Sequence, residues 1–334
     1  MTHTVSFKKN AANIFFHILT RCNLHCRHCY INPAQHGNNT LPYETIEKWL
    51  TTFISAGRDI NVVFLGGEPS LHPELSLCIK KARALGCRSV TVDTNGYLFN
   101  DILAKATPQE VDYFSFSLDG ATEETSDRIR GKGSYRQCLA GIEQAVSRGF
   151  KTSLIYTVSR SNISELEYMP PLLHELGIDR FFIQVIGVRG RAADPSSQKM
   201  QVGRDKWLTI IPEAARAAAA LGITATYPKV YLSPEEAFEC AGRVADNYFI
   251  FPNGRVYRCP LCEDFPVHSL VFAGDRLIPT DPINECDFFR LDIPEGCVMN
   301  KVIQPDNLCY NPDGSPLYKI ACCLLKEEIK PDRN

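Results

Sequence analysis

The chain has 334 residues, 44% of them hydrophobic and 22% charged, with a formal net charge of −2. That suits one large globular domain, or a large one followed by a small one. The balance offers no basic field for nucleic acid. No apolar run approaches the ~20 residues of a membrane span, and the first ten residues lack the apolar core of a signal peptide. The expected location is the cytoplasm, with neither nucleic acid nor membrane as partner.

Residues 14–20 read as a buried strand. Residues 43–55 follow with helical spacing of Ile46, Leu50, Phe53 and Ile54. Strands are then expected at 61–65, 89–93, 113–118, 152–158 and 181–186, each followed by a helix, at 73–85, 98–106, 134–147, 163–176 and 205–221. Pro170-Pro171 is expected to break the helix at 163–176. Six such units, with apolar strands and crossover helices, predict an α/β fold with a parallel sheet. In such folds the loops after the strands build the site. Near 227–234 the helical pattern stops, which sets the expected division at residues 1–225 and 226–334. In the second part, residues 248–251 and 255–257 flank a Pro252-Asn253-Gly254 hairpin turn, giving a small cysteine-rich α+β domain.

The chain contains fourteen cysteines, eight of them from Cys240 onward. In a long chain without a signal peptide, that usage points to metal rather than disulfides. Cys78, Cys87 and Cys138 fall in helical contexts and are expected to be packing residues. The informative run is Cys22-Asn23-Leu24-His25-Cys26-Arg27-His28-Cys29-Tyr30, in the loop after the first strand. Its spacing is C-x3-C-x2-C with no fourth cysteine nearby. A cubane cluster held by three thiolates keeps one iron open for chemistry. Zinc would need a further ligand pair to close a tetrahedron, and a disulfide would strand one thiol.

Other strand ends carry marks. The second runs into Gly66-Gly67-Glu68-Pro69, where the glycines permit close backbone approach and Glu68 offers a carboxylate. The third ends Asp93-Thr94-Asn95-Gly96, an Asn-Gly turn. The fourth ends Ser117-Leu118-Asp119-Gly120, followed by Asp127-Arg128-Ile129-Arg130-Gly131, and Asp119 is expected to cap the next element. The sixth leads into Gly187-Val188-Arg189-Gly190-Arg191, which suits either an anionic ligand or a solvated loop.

The cysteine run resembles the signature of the radical S-adenosylmethionine (SAM) family. The resemblance implies a partial (β/α)6 TIM-like barrel, with which the six units agree. It implies a [4Fe–4S] cluster on Cys22, Cys26 and Cys29, whose open iron is chelated by the amino and carboxylate groups of SAM. An electron from the cluster then splits the sulfonium, and the 5′-deoxyadenosyl radical takes a hydrogen atom from substrate carbon. His28 and Tyr30 suit the family pattern. The second strand end resembles the family's GGEP motif, which contacts the SAM amino group. The fourth resembles an SLDG…RG stretch, in which the serine and an arginine reach SAM. A guanidinium matches a carboxylate geometrically, and Arg130 is preferred over Arg128. The residues implied to bind SAM are Tyr30, Gly66, Gly67, Glu68, Pro69, Asn95, Ser117 and Arg130.

In the tail, Cys240-x13-Gly254-x4-Cys259 is similar to the element that opens SPASM and twitch domains, which bind auxiliary [4Fe–4S] clusters. The later spacing departs from the full SPASM pattern. At least one auxiliary cluster is expected on Cys240 and Cys259, completed by Cys262 and Cys297. Cys286, Cys309, Cys322 and Cys323 are left over, and adjacent thiols rarely share a cluster. A zinc ribbon is the alternative. The expected substrate is a peptide or protein, with a small molecule or cofactor precursor as the alternative. A reductant such as flavodoxin or ferredoxin is the implied partner. A non-catalytic iron–sulfur carrier is opposed by the SAM motifs.

Overall fold

A computed structural model describes residues 2–7, 11–54, 59–194, 200–281 and 283–332. Ser55, the expected end of the first helix, lies outside them. The strands in chain order are β1 (Thr2–Val5), β2 (Ala11–Leu19), β3 (Asp59–Gly66), β4 (Ser89–Thr94), β5 (Tyr113–Ser117), β6 (Thr152–Val158), β7 (Arg180–Val185), β8 (Thr224–Pro228), β9 (Tyr231–Leu232), β10 (Asp246–Ile250), β11 (Arg255–Tyr257), β12 (Leu270–Ala273), β13 (Arg276–Pro279), β14 (Lys319–Ile320) and β15 (Lys326–Ile329). Strands β2 to β8 lie side by side in sequence order and run parallel. The sheet is open, running from β1 at one edge to β13 at the other.

Alternation along each strand sorts the two faces. Ile14, Phe16, Val62, Phe64, Val90, Val92, Phe114, Phe116, Phe181 and Ile183 are fully buried in the core under the helices. Each such side chain contributes about 1.5–3 kcal/mol relative to exposure. The opposite, concave face is mixed. Asn13 donates to Asn247 Oδ1 at 2.9 Å, Asn61 to Asn13 Oδ1 at 3.0 Å, and the Ser89 hydroxyl to Asn61 Oδ1 at 2.9 Å. Higher on that face stand Phe15, His17, Asp93, Ser115, Ser117 and Phe182.

The sheet continues past residue 225. Strand β10 pairs in parallel with β2, from Asp246 beside Ala12 to Ile250 beside Phe16. The β10–β11 hairpin then extends the sheet outward. Phe15 stacks on Phe249 with ring centroids 4.5 Å apart, and on the other face Trp49 stacks on Phe272 at 4.2 Å. At the opposite edge β15 inserts between β1 and β8, antiparallel to both. No helix among the described residues is long and apolar enough to cross a membrane.

Three local expectations change. The helix expected at 98–106 shrinks to Ile102–Lys105. Leu98, Asn100 and Asp101 take positive φ of 51, 57 and 52°, because Ser70 claims this segment. The Phe99 amide donates to Ser70 Oγ at 3.0 Å, and Asn100 Nδ2 to the Ser70 carbonyl at 2.8 Å. Residues 163–176 are a 3-10 turn (Ile163–Tyr168) followed by an α-helix (Met169–Glu175). Pro170 and Pro171 therefore open the α-helix, where a missing N–H costs nothing. A helix at Glu123–Arg130 was not expected from the sequence.

Candidate active site

The cysteine loop leaves the C-terminal end of β2 and is gripped from three sides by the ends of β3, β4, β5 and β7. The Gly67 amide donates to the Leu19 carbonyl and the Glu68 amide to the Arg21 carbonyl, both at 3.0 Å. A Cβ on Gly67 would stand 2.2 Å from the Arg21 oxygen, so the turn must be bare backbone there. Gly66 has φ of +149° against Leu19, and Pro69 opens the 3-10 turn Pro69–Leu71.

Glu68 is fully buried. Its Oε1 accepts from the Ser70 amide (3.1 Å), the Ser70 hydroxyl (2.6 Å) and the Thr94 hydroxyl (2.9 Å), and its Oε2 from the Asn95 amide (2.7 Å). The carboxylate thereby ties the ends of β3 and β4 together. Asn95 carries the tie to the loop, its Nδ2 donating to Asn23 Oδ1 at 2.8 Å and lying 3.7 Å from Cys22 Sγ.

On the next side, Arg27 donates its amide to the Ile129 carbonyl at 2.9 Å, and Cys26 Sγ is 3.9 Å from the Arg130 carbonyl. Arg130 ends the Glu123–Arg130 helix and is 8% exposed. Fully buried Asp119 joins this arginine to the loop. Its Oδ2 is 2.6 Å from His28 Nε2 in a hydrogen bond and 2.6 Å from Arg130 Nε in a charge contact off the N–H line. Oδ1 accepts from the Thr157 amide at 2.7 Å. Burial alone would raise the Asp119 pKa, but Arg130 and His28 outweigh it and hold the carboxyl at about 2. The expectation that Asp119 caps the next element is corrected: Thr122 caps that helix, accepting from the Thr125 amide. Ser117 ends β5 on the concave side, level with Ile155 of β6.

The third grip comes from the loop after β7. The Arg191 amide donates to the Cys29 carbonyl at 2.9 Å, and Arg191 Nη1 to the Cys26 carbonyl at 3.2 Å. Gly190 has φ of +55°, and a Cβ there would meet the Cys29 oxygen at 2.4 Å. Tyr30 turns toward the tail. Burial holds His17 neutral, with its pKa down at about 3. Its Nδ1 faces the Ile250 carbonyl at 3.0 Å and must carry the proton, so Nε2 accepts from the Tyr30 hydroxyl at 2.7 Å. The Arg189 guanidinium lies 4.9 Å over the Tyr30 ring, pairs with Glu263 at 2.7 Å and donates to the Pro260 carbonyl. The arginine loop is thus a brace between the cysteine loop and the tail. Sequence reasoning missed His17 and Glu263, which carry no local motif.

Burial pushes the Cys22 thiol up to about 11 and raises Cys26 as well. Binding iron would therefore displace thiol protons. Soft thiolates are the donors that iron–sulfur clusters take. Each thiolate of a cubane meets a different iron, so its ligands surround it. Among the described residues, no three His, Cys, Asp or Glu side chains converge to hold a single ion.

In the tail, Cys240, Cys259, Cys297, Cys322 and Cys323 line one cavity, which is partly open to solvent. Cys297 is placed by the chain crossing at Gly296, its amide donating to the Ile320 carbonyl at 3.0 Å. Buried Glu285 orders the Cys259 turn. It accepts from the amides of Arg258 (2.7 Å), Cys259 (3.1 Å) and Ser269 (3.3 Å), and from the Ser269 hydroxyl (2.6 Å). Cys262 is fully buried beside Cys259 and does not line the cavity. Cys309 is exposed. The adjacent pair Cys322–Cys323, set aside on sequence grounds, faces the cavity with both residues. Cys78, Cys87 and Cys138 lie in the hydrophobic core.

Residues 16–169 match the Radical SAM superfamily. Fe-coproporphyrin III synthase of Methanosarcina barkeri is 31% identical over 58% of this chain and 48% of its own length. Pre-heme d1 synthase of Dinoroseobacter shibae is 33% identical over 53% and 44%. The chain spans about half the length of these relatives. Among solved structures, Streptococcus suis SuiB bound to S-adenosylmethionine has a TM-score of 0.65 at 15% identity, covering 88% of this chain and 72% of that one. AnSMEcpe with bound AdoMet has a TM-score of 0.58 at 12% identity, covering 77% and 75%. Both likenesses concern the fold. The span that matches the radical SAM superfamily holds the whole cysteine loop and the ends of β2 to β5 around it.

Proposed function

We propose that the chain is an enzyme that cleaves SAM reductively and starts hydrogen-atom abstraction from a substrate held on the concave face of the sheet. One observation carries this reading: Asn95 and Glu68 on one side, and His28, Asp119 and Arg130 on the other, knit the C-x3-C-x2-C loop into the parallel strand ends. A [4Fe–4S] cluster on Cys22, Cys26 and Cys29 would bind SAM and supply the electron that releases the 5′-deoxyadenosyl radical. The residues around it position and exclude water. The Gly66-Gly67 turn presents bare backbone to the SAM amino group, and Pro69 stiffens its exit. Glu68 fixes Asn95. Ser117 and Arg130 would reach SAM, the arginine through its carboxylate, with Asp119 steering the guanidinium. Tyr30 struts the loop against β2. Reducing equivalents would come from a flavodoxin or ferredoxin.

The tail would hold at least one auxiliary [4Fe–4S] cluster, on Cys240, Cys259, Cys297 and one of the Cys322–Cys323 pair, with Cys262 packed behind. For the substrate, the relatives at 31% and 33% identity are named for Fe-coproporphyrin III and pre-heme d1, which favours a small molecule. A peptide substrate draws on SuiB, solved with its precursor peptide SuiA at a TM-score of 0.59 and 14% identity.

The test is anaerobic incubation of reconstituted protein with SAM and dithionite. 5′-Deoxyadenosine should form with the wild type and not with Cys29→Ala. Equal amounts from both would rule the reading out.

A further inference from the structure

Lys326 opens β15 at the top of the open sheet, beside Pro228 of β8 and Val5 of β1. Its stem crosses the concave face, and its ammonium lies 4.7 Å over the ring of Phe182. Nζ donates to the Cys323 carbonyl at 3.0 Å. No carboxylate among the described residues stands within ion-pair distance, since Glu327 turns to Thr4 and Lys229, and Glu328 to His3 and Lys330. The titratable groups that face the ammonium are Cys323 and Cys322, on the wall of the five-cysteine cavity. An ammonium drawn in from water without an anion is costly, so its place asks for negative charge on the cysteine side.

We infer that Lys326 is the counter-charge of the iron–sulfur group in the tail and raises its reduction potential. The inference rests on the auxiliary cluster proposed above. A cubane on four thiolates is anionic and gains one further negative charge, with no proton, on one-electron reduction. A fixed cation nearby favours the reduced form, more strongly where the dielectric is low. Lys326 acts here as a positioning charge and need not touch substrate. It also lies between the concave face and the cysteine cavity, which is where a one-electron acceptor for a substrate-derived radical would need its potential raised.

The test uses the full chain carrying Cys22→Ala, Cys26→Ala and Cys29→Ala, so that only tail iron is present. The tail group is titrated potentiometrically by EPR, with Lys326 intact and as K326Q, K326M and K326R. Glutamine can still donate to the Cys323 carbonyl but carries no charge, which separates charge from hydrogen bonding. K326Q and K326M should each lose about tenfold in the equilibrium constant for reduction, about 59 mV toward negative potential for a one-electron couple. K326R should keep the parent potential. Unmoved potentials in K326Q or K326M with tail iron retained overturn the inference and leave the cluster standing. Absence of tail iron in the parent with Lys326 intact overturns the cluster and the inference together. Loss of tail iron in both neutral variants, restored in K326R, supports the counter-charge.

Discussion

Asp119 Oδ2 lies 2.6 Å from His28 Nε2, so a carboxylate at the end of β5 is bound directly to the cysteine loop. The same oxygen meets Arg130, and all three groups are nearly removed from solvent. Breaking such a set by removing one charge costs about 3–5 kcal/mol. Asp119→Asn should therefore lower unfolding stability at pH 7 by that order and weaken SAM binding. The folded pKa of about 2 lies below the ordinary 3.8, so the stabilisation is present above about pH 4 and fades as pH falls toward 2. Denaturant unfolding across pH checks this. A variant as stable as wild type at pH 7 would remove the hub.

The loop also depends on two glycines that leave no room for a side chain. A Cβ at Gly67 meets the Arg21 oxygen at 2.2 Å, and one at Gly190 meets the Cys29 oxygen at 2.4 Å. Gly67→Ala and Gly190→Ala should each displace a cysteine and lower reconstituted iron by about half. Gly203→Ala, with nothing within 4 Å, should not. Full iron in either loop variant would contradict the close packing.

Asp93 sits on the concave face beside Ser115. Burial pushes its carboxyl up to about 7, opposed by Ser115 and assisted by Glu68. A raised carboxyl pKa gives stability that is complete below about pH 4 and lost as pH rises through about 7. Asp93→Asn should match wild type in Tm near pH 4 and exceed it at pH 8. A lower Tm for the variant at pH 8 would contradict that sign. Gain in stability with loss of turnover is the usual mark of a polar group kept for function.

In the tail, Cys297 lines the cavity and Cys262 does not. Cys297→Ser should lose the tail iron, and Cys262→Ser should retain it. Measured in the background lacking the three N-terminal cysteines, the reverse pattern would assign Cys262 as ligand and exclude the cavity.

Much of this was legible because local chemistry announces it. The apolar strands, the crossover helices, the C-x3-C-x2-C loop and the Pro252-Asn253-Gly254 hairpin each carry a short-range pattern. What stayed hidden depends on partners distant in sequence. Nothing in residues 246–250 says that they will pair in parallel with residues 12–16. Nor does Lys326–Ile329 reveal that it will slot between β1 and β8. Leu98, Asn100 and Asp101 lost their expected helix to two hydrogen bonds with Ser70. Asp119 looked like a cap because Asp before a helix usually is one, and only the fold brings it to His28. The Cys322–Cys323 pair was discounted on adjacency, yet the turn between β14 and β15 shows both residues to the cavity.

The most direct measurement is iron and acid-labile sulfide after anaerobic reconstitution, comparing wild type with Cys22/Cys26/Cys29→Ala. With a cubane at each site, wild type should hold about eight irons per chain and the variant about four. Equal iron in the two proteins would contradict a cluster on the C-x3-C-x2-C loop, and with it the proposed SAM chemistry.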